Sequence, residues 1–426
     1  MFGLLKRLFM PKRNVSRLKV EGDAIELTQE VVDTSGKPLR EGHLRRAWRD
    51  KRLLTKSKLW KRKKVMSKEE AARLFSSTMR TRNRHLRDLL PDEEQLGRYG
   101  LPLWKTEAEV AAALGISLKE LHFYAIHRER DRFFNYVRFA IPKRSGGHRV
   151  IMAPKRRLKA LQRRLLELLV SKLPVSEYAH GFRSGRGTRS NAEPHVGQEM
   201  VVRVDLKNFF PTVTFGRVRG YLIALGYGYP VATSLACLMT EAERQPVELD
   251  DGTLVHVPVT NRHCVQGAPT SPALCNAIVL KLDRRIAGLA RKFGVNYTRY
   301  ADDLTFSGPL DHQQAFGLTQ AVRRIVEAEG FVVNAGKTLI LSKARRQTVT
   351  GAVVNQILGL SRQERRRLRA MLHHEAQGKP LHDSNNQPVT SAHLHGKLAY
   401  LKMLNPEHWE KLTCSGTLRP KHLADG

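Results

Sequence analysis

Cysteine is scarce in this chain: there are four in 426 residues, Cys237, Cys264, Cys275 and Cys414. They are scattered, with neither the paired spacing of a zinc site nor a disulfide framework. A disulfide-stapled secreted scaffold is excluded, and a reduced cytoplasm is the expected location. Long apolar runs are also missing. None approaches the roughly 18 residues of a membrane span. The N-terminal stretch Gly3 to Phe9 is too short, and charged too early, for a secretory leader. No membrane partner is expected, and no internal repeat is found. Acid is the third shortage. Asp and Glu number 40 against 74 Lys and Arg, for a formal net charge of +34 and a pI near 10.5. Such a surface binds polyanions without choosing among them, so it points to nucleic acid of unspecified kind.

What is present starts with Tyr300-Ala301-Asp302-Asp303, flanked by Val295 to Thr298 and Leu304 to Ser307. Alternating β-branched and aromatic residues on both sides predict two short strands with the acids at the bend between them. Neighbouring side chains on a strand diverge, but at a bend two carboxylates can turn to one point. Crowded carboxylates repel unless a cation neutralises them, and hard oxygen ligands suit Mg²⁺. An isolated Asp-Asp is more often a plain polar turn. A third acid changes that balance. The mostly apolar run Glu199 to Leu206 predicts a buried strand carrying Asp205 near its C-terminal tip, followed by Phe209-Phe210-Pro211 and a helix from Phe215 to Leu225. A strand-end Asp beside a hairpin Asp-Asp can hold two divalent ions, Mg²⁺ with Mn²⁺ as a substitute. These would activate an attacking hydroxyl and stabilise the leaving pyrophosphate. The Leu206 carbonyl is a further candidate ligand.

Two more segments carry candidate ligand-binding residues. Arg138 to Ile151 reads strand, Gly turn, strand, and places Lys143 and Arg149 on one hairpin where both can reach a triphosphate. An amphipathic helix follows from Pro154 to Leu169, with Leu158, Leu161, Leu165 and Leu169 facing inward. Val265 to Pro272 is a Gly- and Pro-containing loop leading into a helix from Ala273 to Ile286. In it Gly267 permits close backbone approach to a base pair and Gln266 can hydrogen-bond nearby.

Val-Asp-Leu-Lys-Asn-Phe-Phe at 204–210, Tyr-Ala-Asp-Asp at 300–303, Gln-Gly-x-x-x-Ser-Pro at 266–272 and the basic Gly hairpin resemble, in order, four conserved blocks of reverse transcriptases. The resemblance covers residues 135 to 355. It implies an α+β right-hand fold with fingers, an antiparallel palm sheet with helices, and an α-helical thumb, acting on deoxynucleotide triphosphates. It also puts Phe210 at the steric gate against a ribose 2′-OH, with Phe209 left to the core. Asn191-Ala192-Glu193-Pro194-His195 and Val349-Thr350-Gly351 resemble two signatures of bacterial retron enzymes. That subfamily implies a cognate structured non-coding RNA as template and primer. Synthesis would start from a 2′-OH and give branched RNA-linked DNA, in anti-phage defence beside an effector protein. Asn191, His195, Val349, Thr350 and Gly351 are then candidate RNA-binding residues.

The implied layout is a basic extension over 1–95, N-terminal helices and fingers over 96–200, palm over 201–355 and thumb over 356–426. Arg45 to Lys64 holds eleven Lys/Arg in twenty positions with Trp48 and Trp60 interleaved, a composition suited to RNA or to a solvated basic segment. Pro91 to Pro102 reads as a linker. Thr106 with Glu109, Ser117 with Glu120 and Ser361 with Glu364 read as helix-capping pairs. Arg365, Arg366 and Arg369 load the helix after Ser361 and can track a duplex backbone. A second thumb helix is expected from Gly396, stopping near Asn405-Pro406. Two alternatives stand beside this reading: a group II intron-like reverse transcriptase, and a catalytically silent RNA-binding scaffold. Against the first, the chain lacks a Cys/His-rich endonuclease tail. Against the second, all three acids are intact.

Overall fold

The computed structural model describes residues 18–21, 24–27, 90–125, 133–142, 148–248, 254–384 and 387–413. The basic run Arg45 to Lys64, Lys143 and Cys414 lie outside them. The chain divides into two compact units, each built from two stretches: Met1–Pro174 with Phe210–Ile278, and Val175–Phe209 with Val279–Gly426.

The first unit opens on the hairpin Leu18–Glu21/Ala24–Leu27, and short helices follow from residue 93. The stretch expected as a linker carries one, Glu93–Arg98. Asp92 caps it by accepting from Gln95 N at 3.0 Å, and Leu96 is fully buried beneath it. Helices Glu107–Leu114 and Leu118–Ala125 start where the capping pairs put them, with Thr106 Oγ1 accepting from Glu109 N and Ser117 Oγ from Glu120 N. The basic hairpin pairs Tyr136–Pro142 with His148–Pro154 in antiparallel register. Helix Arg156–Leu168 then buries Leu158, Leu161 and Leu165, and Leu169 ends it, also buried. Buried Gln162 joins the two elements by donating to Tyr136 Oη at 2.9 Å and to the Leu238 carbonyl at 2.8 Å. Helices Phe215–Ala224 and Tyr229–Met239 and the hairpin Arg244–Glu248/Leu254–Pro258 complete this unit together with helix Ser271–Ile278.

One expected helix is two. Ser271–Ile278 and Leu280–Lys292 are separated by Val279, which leaves helical geometry (φ −84°, ψ 7°). The first piece is buried on nearly every side, whereas the second is amphipathic and belongs to the other unit.

The second unit is an antiparallel sheet. Met200–Lys207 lies at its centre, with Asp303–Gly308 and then Asn296–Tyr300 on one side, and Val332–Val333 and Leu339–Ser342 on the other. Met200, Val201, Val202, Val204 and Leu206 are all buried, which is why the strand reads as an unbroken apolar run. Helices Leu280–Lys292 and His312–Ala328 pack on the sheet. Beyond it, helices Arg362–Ala376, Ser391–Leu404 and Pro406–Thr413 enclose a core of their own built on Leu368, Leu372, Leu394 and Leu401. Ser361 caps the first of these. The second begins before Gly396 and ends at Asn405 as the sequence predicts.

Candidate active site

The aspartate hairpin turns in two residues. Tyr300 pairs with Asp303, leaving Ala301-Asp302 as the loop, and Ala301 takes φ +57°. A positive φ at the first loop position is the geometry that suits a right-twisted hairpin, but glycine usually supplies it. Here the surroundings impose it. Arg299 Nη1 donates to the Ala301 carbonyl at 3.0 Å, and Leu206 N donates to the Asp302 carbonyl at 2.9 Å. Arg299 itself is anchored, fully buried, by a two-pronged ion pair with Asp283 at 2.8 and 2.7 Å. Strain at one backbone position persists where neighbours over-determine it, and such positions cluster at functional sites.

Asp205 lies directly opposite Asp303 across the strand pair, with Asp302 in the adjoining turn. Like charges directly opposite one another destabilise a sheet. Burial, with Asp205 and Asp303 close by, pushes the Asp302 carboxyl up to about 6, although its own backbone N–H and Lys337 pull it down. Asp303 is also raised by burial, opposed by Arg203. Two cations that the sequence reading missed offset part of the repulsion. Lys337 Nζ sits 3.2 Å from Asp205 Oδ1, and Arg203 Nη2 lies 3.4 Å from Asp303 Oδ2. Asn334 Nδ2 also donates to Asp205, at 2.8 Å. Arg203 was legible, since it stands two residues before Asp205 on the same strand face.

Among the described residues, no three acidic, His or Cys side chains are gathered as a ready-made metal cage. The three carboxylates are electrostatic neighbours, two of them held by cationic side chains. Their donor chemistry nevertheless fits a divalent ion: they are hard oxygen ligands with excess negative charge, in a place where one of them resists ionising.

The remaining candidates separate clearly. Phe209 is buried against Phe331, with ring centroids 6.1 Å apart, and Phe210 is half-buried. Arg149 is exposed on its hairpin. Gly267 has φ +113°, and a Cβ there would lie 2.9 Å from the Met152 carbonyl, so only glycine fits. Met152 N donates to the Gln266 carbonyl at 2.7 Å, fixing this loop to the hairpin strand.

Asn191, His195 and Val349 are fully buried, so their side chains lie beneath the surface and not on it. His195 braces the aspartate hairpin. Its Nδ1 lies 2.7 Å from Ser307 Oγ on one strand and its Nε2 2.7 Å from Thr298 Oγ1 on the other. Thr298 Oγ1 spends its proton on the Asn191 carbonyl at 3.2 Å. It must therefore accept from Nε2–H, which leaves Nδ1 to accept from Ser307. Burial holds His195 neutral by lowering its pKa to about 3. Thr350 (φ +47°) and Gly351 (φ +87°) form the two-residue turn between strands Thr348–Val349 and Ala352–Val353.

On the C-terminal helices, Arg362, Arg365, Arg366, Arg369, His408 and Lys411 line a groove of about 360 Å³. Arg365 Nη1 lies 3.3 Å from His408 Nε2. Burial, then Arg365 and Lys411, lower the His408 pKa, so its ring accepts there. No helix among the described residues is long and apolar enough to cross a membrane.

Residues 141–361 match the family model described as "Reverse transcriptase (RNA-dependent DNA polymerase)". The chain is 61% identical over 399 residues to Retron Mx65 reverse transcriptase of Myxococcus xanthus, covering 93% of this chain and 91% of that one. It is 42% identical over 329 residues to Retron Mx162 reverse transcriptase of the same organism, covering 74% and 67%. It is 32% identical over 288 residues to Retron Ec86 reverse transcriptase of Escherichia coli, covering 67% and 82%. Among solved structures, telomerase from Candida albicans in complex with a telomeric RNA fragment aligns with TM-score 0.39 and 11% identity. That alignment covers 68% of this chain and 58% of that one, under two thirds of its length.

Proposed function

The chain belongs to the retron reverse transcriptases, RNA-directed DNA polymerases of the right-hand α+β class, and from that premise we propose that it copies part of one cognate structured non-coding RNA into single-stranded DNA. Synthesis starts from a 2′-OH within that RNA, so the product is branched RNA-linked DNA, and the system serves anti-phage defence together with an effector protein. The observation that carries the catalytic half is Asp205 opposite Asp303 with Asp302 in the turn between strands. A fold places like charges in such register when something positive is to be bound there.

Asp205, Asp302 and Asp303, with the Leu206 carbonyl, would hold two Mg²⁺ ions, or Mn²⁺ in their stead. Bound there, the ions supply Lewis acidity for the attacking hydroxyl and charge stabilisation for the pyrophosphate. The chain's own residues do the rest. Lys143 and Arg149 pair with the triphosphate of the deoxynucleotide, and Phe210 packs against its sugar. Gln266 and Gly267 line the base pair being formed. Lys337 and Arg203 hold two carboxylates in place until the charge of substrate and ions replaces theirs.

RNA recognition falls to the Thr350-Gly351 turn and to Arg365, Arg366 and Arg369. Asn191, His195 and Val349 act behind that surface as positioning residues. At +34 the chain binds many RNAs, so charge does not select among them, and shape and base contacts must. The nucleic acid that copurifies with the protein tests this reading. Branched RNA–DNA resistant to separation by denaturation supports it. Linear cellular RNA alone would leave a polymerase without the retron role.

A further inference from the structure

Behind the aspartate turn, a helix that contributes no candidate ligand buries a charge. Asp283, in the first turn of helix Leu280–Lys292, is fully buried, as is Arg299 on the strand leading into the turn. Taking two charges out of water is costly, and their attraction offsets that only when the geometry is good and the remaining polar atoms are satisfied. Both conditions hold for Asp283. Its Oδ1 accepts from Arg299 Nε at 2.8 Å and from Tyr297 Oη at 2.8 Å, and its Oδ2 accepts from Arg299 Nη2 at 2.7 Å. Tyr297 and Arg299 stand two apart on one strand, so they share a face and reach the same carboxylate. Burial, then Asp283, raise the Tyr297 pKa well above its ordinary value, so the phenol keeps the proton it donates. The Tyr297 ring is fixed in turn against Phe306 of the next strand, with centroids 5.0 Å apart and planes at 22°.

A well-packed apolar pair of similar volume would serve the core as well or better. What it would lack is a donor to the turn. Arg299 directs its remaining nitrogen, Nη1, to the Ala301 carbonyl at 3.0 Å. That carbonyl belongs to the planar peptide joining Ala301 to Asp302, so its direction sets the plane from which the Asp302 side chain departs. On the far side of Asp302, its own carbonyl accepts from Leu206 N at 2.9 Å. Both peptides flanking Asp302 are therefore held, one by the central strand and one by Arg299. The main chain of Arg299 is fixed as well, its N–H donating to the Tyr178 carbonyl at 2.7 Å and its carbonyl accepting from His180 N at 2.8 Å. Under this hold Ala301 keeps φ +57°, a conformation unfavourable to any residue but glycine.

We propose that Asp283 is a positioning residue for DNA synthesis: by orienting the Arg299 guanidinium it fixes the Ala301–Asp302 peptide and so aims the Asp302 carboxylate. The proposal rests on the reading of Asp302 as a metal ligand. Asp283 itself touches neither nucleotide, metal nor nucleic acid. It acts from behind the turn, as the partners that orient a ligand do, and losing such a partner costs roughly ten- to a hundredfold in metal affinity or activity.

The test uses the full chain in two forms. Asp283→Leu combined with Arg299→Met removes both charges at similar volume, and Asp283→Asn keeps the shape but weakens the grip on Arg299. The paired variant melts at or above the parent's temperature. In primer extension kcat falls roughly ten- to a hundredfold in both variants, and the Mg²⁺ concentration for half-maximal rate rises about tenfold. KM for primer–template stays at the parent's value. Hydrogen exchange of the metal-free protein gives a readout apart from activity: residues 300–303 exchange faster in both variants, while helix His312–Ala328 keeps parental rates. Parental kcat, or parental exchange at 300–303, in the paired variant overturns the proposal alone, provided Asp302→Asn is inactive. So does a fall in kcat that matches the fraction unfolded at the assay temperature in both variants, which assigns the pair to stability. Near-normal extension by Asp302→Asn overturns the carboxylate reading and this proposal with it.

Discussion

Ala192 and Val349 lie in one buried cluster with Val201, Ala352, Val354 and Leu404. The two short signatures that single out the subfamily are therefore one piece of structure, seated against the central strand of the sheet. Its consequence is a division within each signature between buried residues and residues left at the surface.

Val349→Ala removes two methyl groups from a closed apolar site and should cost about 2 kcal/mol of stability. Discrimination between cognate and scrambled RNA should survive, because the buried valine makes no contact with either. Denaturant unfolding and competitive binding at raised salt measure the two effects separately. Lost discrimination with unchanged stability would return Val349 to the RNA surface.

His195 makes stability depend on pH. Its folded pKa of about 3 lies below the ordinary value of 6.5, so the neutral form is the one the fold favours. The stabilisation is complete above 6.5, where both states are neutral, and is lost as pH falls from 6.5 towards 3. Between pH 7.5 and 5 the loss is about 2 kcal/mol. His195→Gln, which cannot titrate, should be less stable at pH 7.5 and show a flatter decline over that interval. Parallel declines for both proteins would assign the acid sensitivity elsewhere.

Much of this was readable in advance, for physical reasons. Alternating strands around Asp302 and Asp303 and the apolar run before Asp205 are local patterns, and so are the caps at Thr106, Ser117 and Ser361. The pairing of Asp205 with Asp303 is not local: register between strands a hundred residues apart leaves no periodic trace. The burial of Asn191 and His195 was hidden for the same reason, since their partners Thr298 and Ser307 come from the hairpin. Lys337 and Asn334 reach Asp205 only once a short strand has docked beside it. The short helix within Pro91 to Pro102 was misread because the prolines outweighed Asp92 and Leu96.

Phe210 sets sugar choice in this account. Phe210→Ala should incorporate ribonucleotides much more readily relative to deoxynucleotides, with little change in stability, because Phe209 and not Phe210 fills the core. Single-nucleotide incorporation gives the ratio. An unchanged ratio would move the gate to another residue.

Arg366 and Arg369 are exposed on the groove side of helix Arg362–Ala376. If both neutralise phosphates, Arg366→Gln with Arg369→Gln should lower the slope of log affinity against log salt by roughly two. A slope equal to the parent's would mean that the groove does not hold RNA.

The most direct measurement is primer extension by Asp302→Asn on a primed RNA template with Mg²⁺ and deoxynucleotides. The amide has nearly the shape of the carboxylate and cannot replace its charge as a hard ligand. Removing one of three like charges leaves the fold at least as stable, and the RNA surface is untouched. Extension should fall by several orders of magnitude while RNA affinity and melting temperature hold or rise. Near-normal extension by this variant would contradict the assignment of the carboxylate centre.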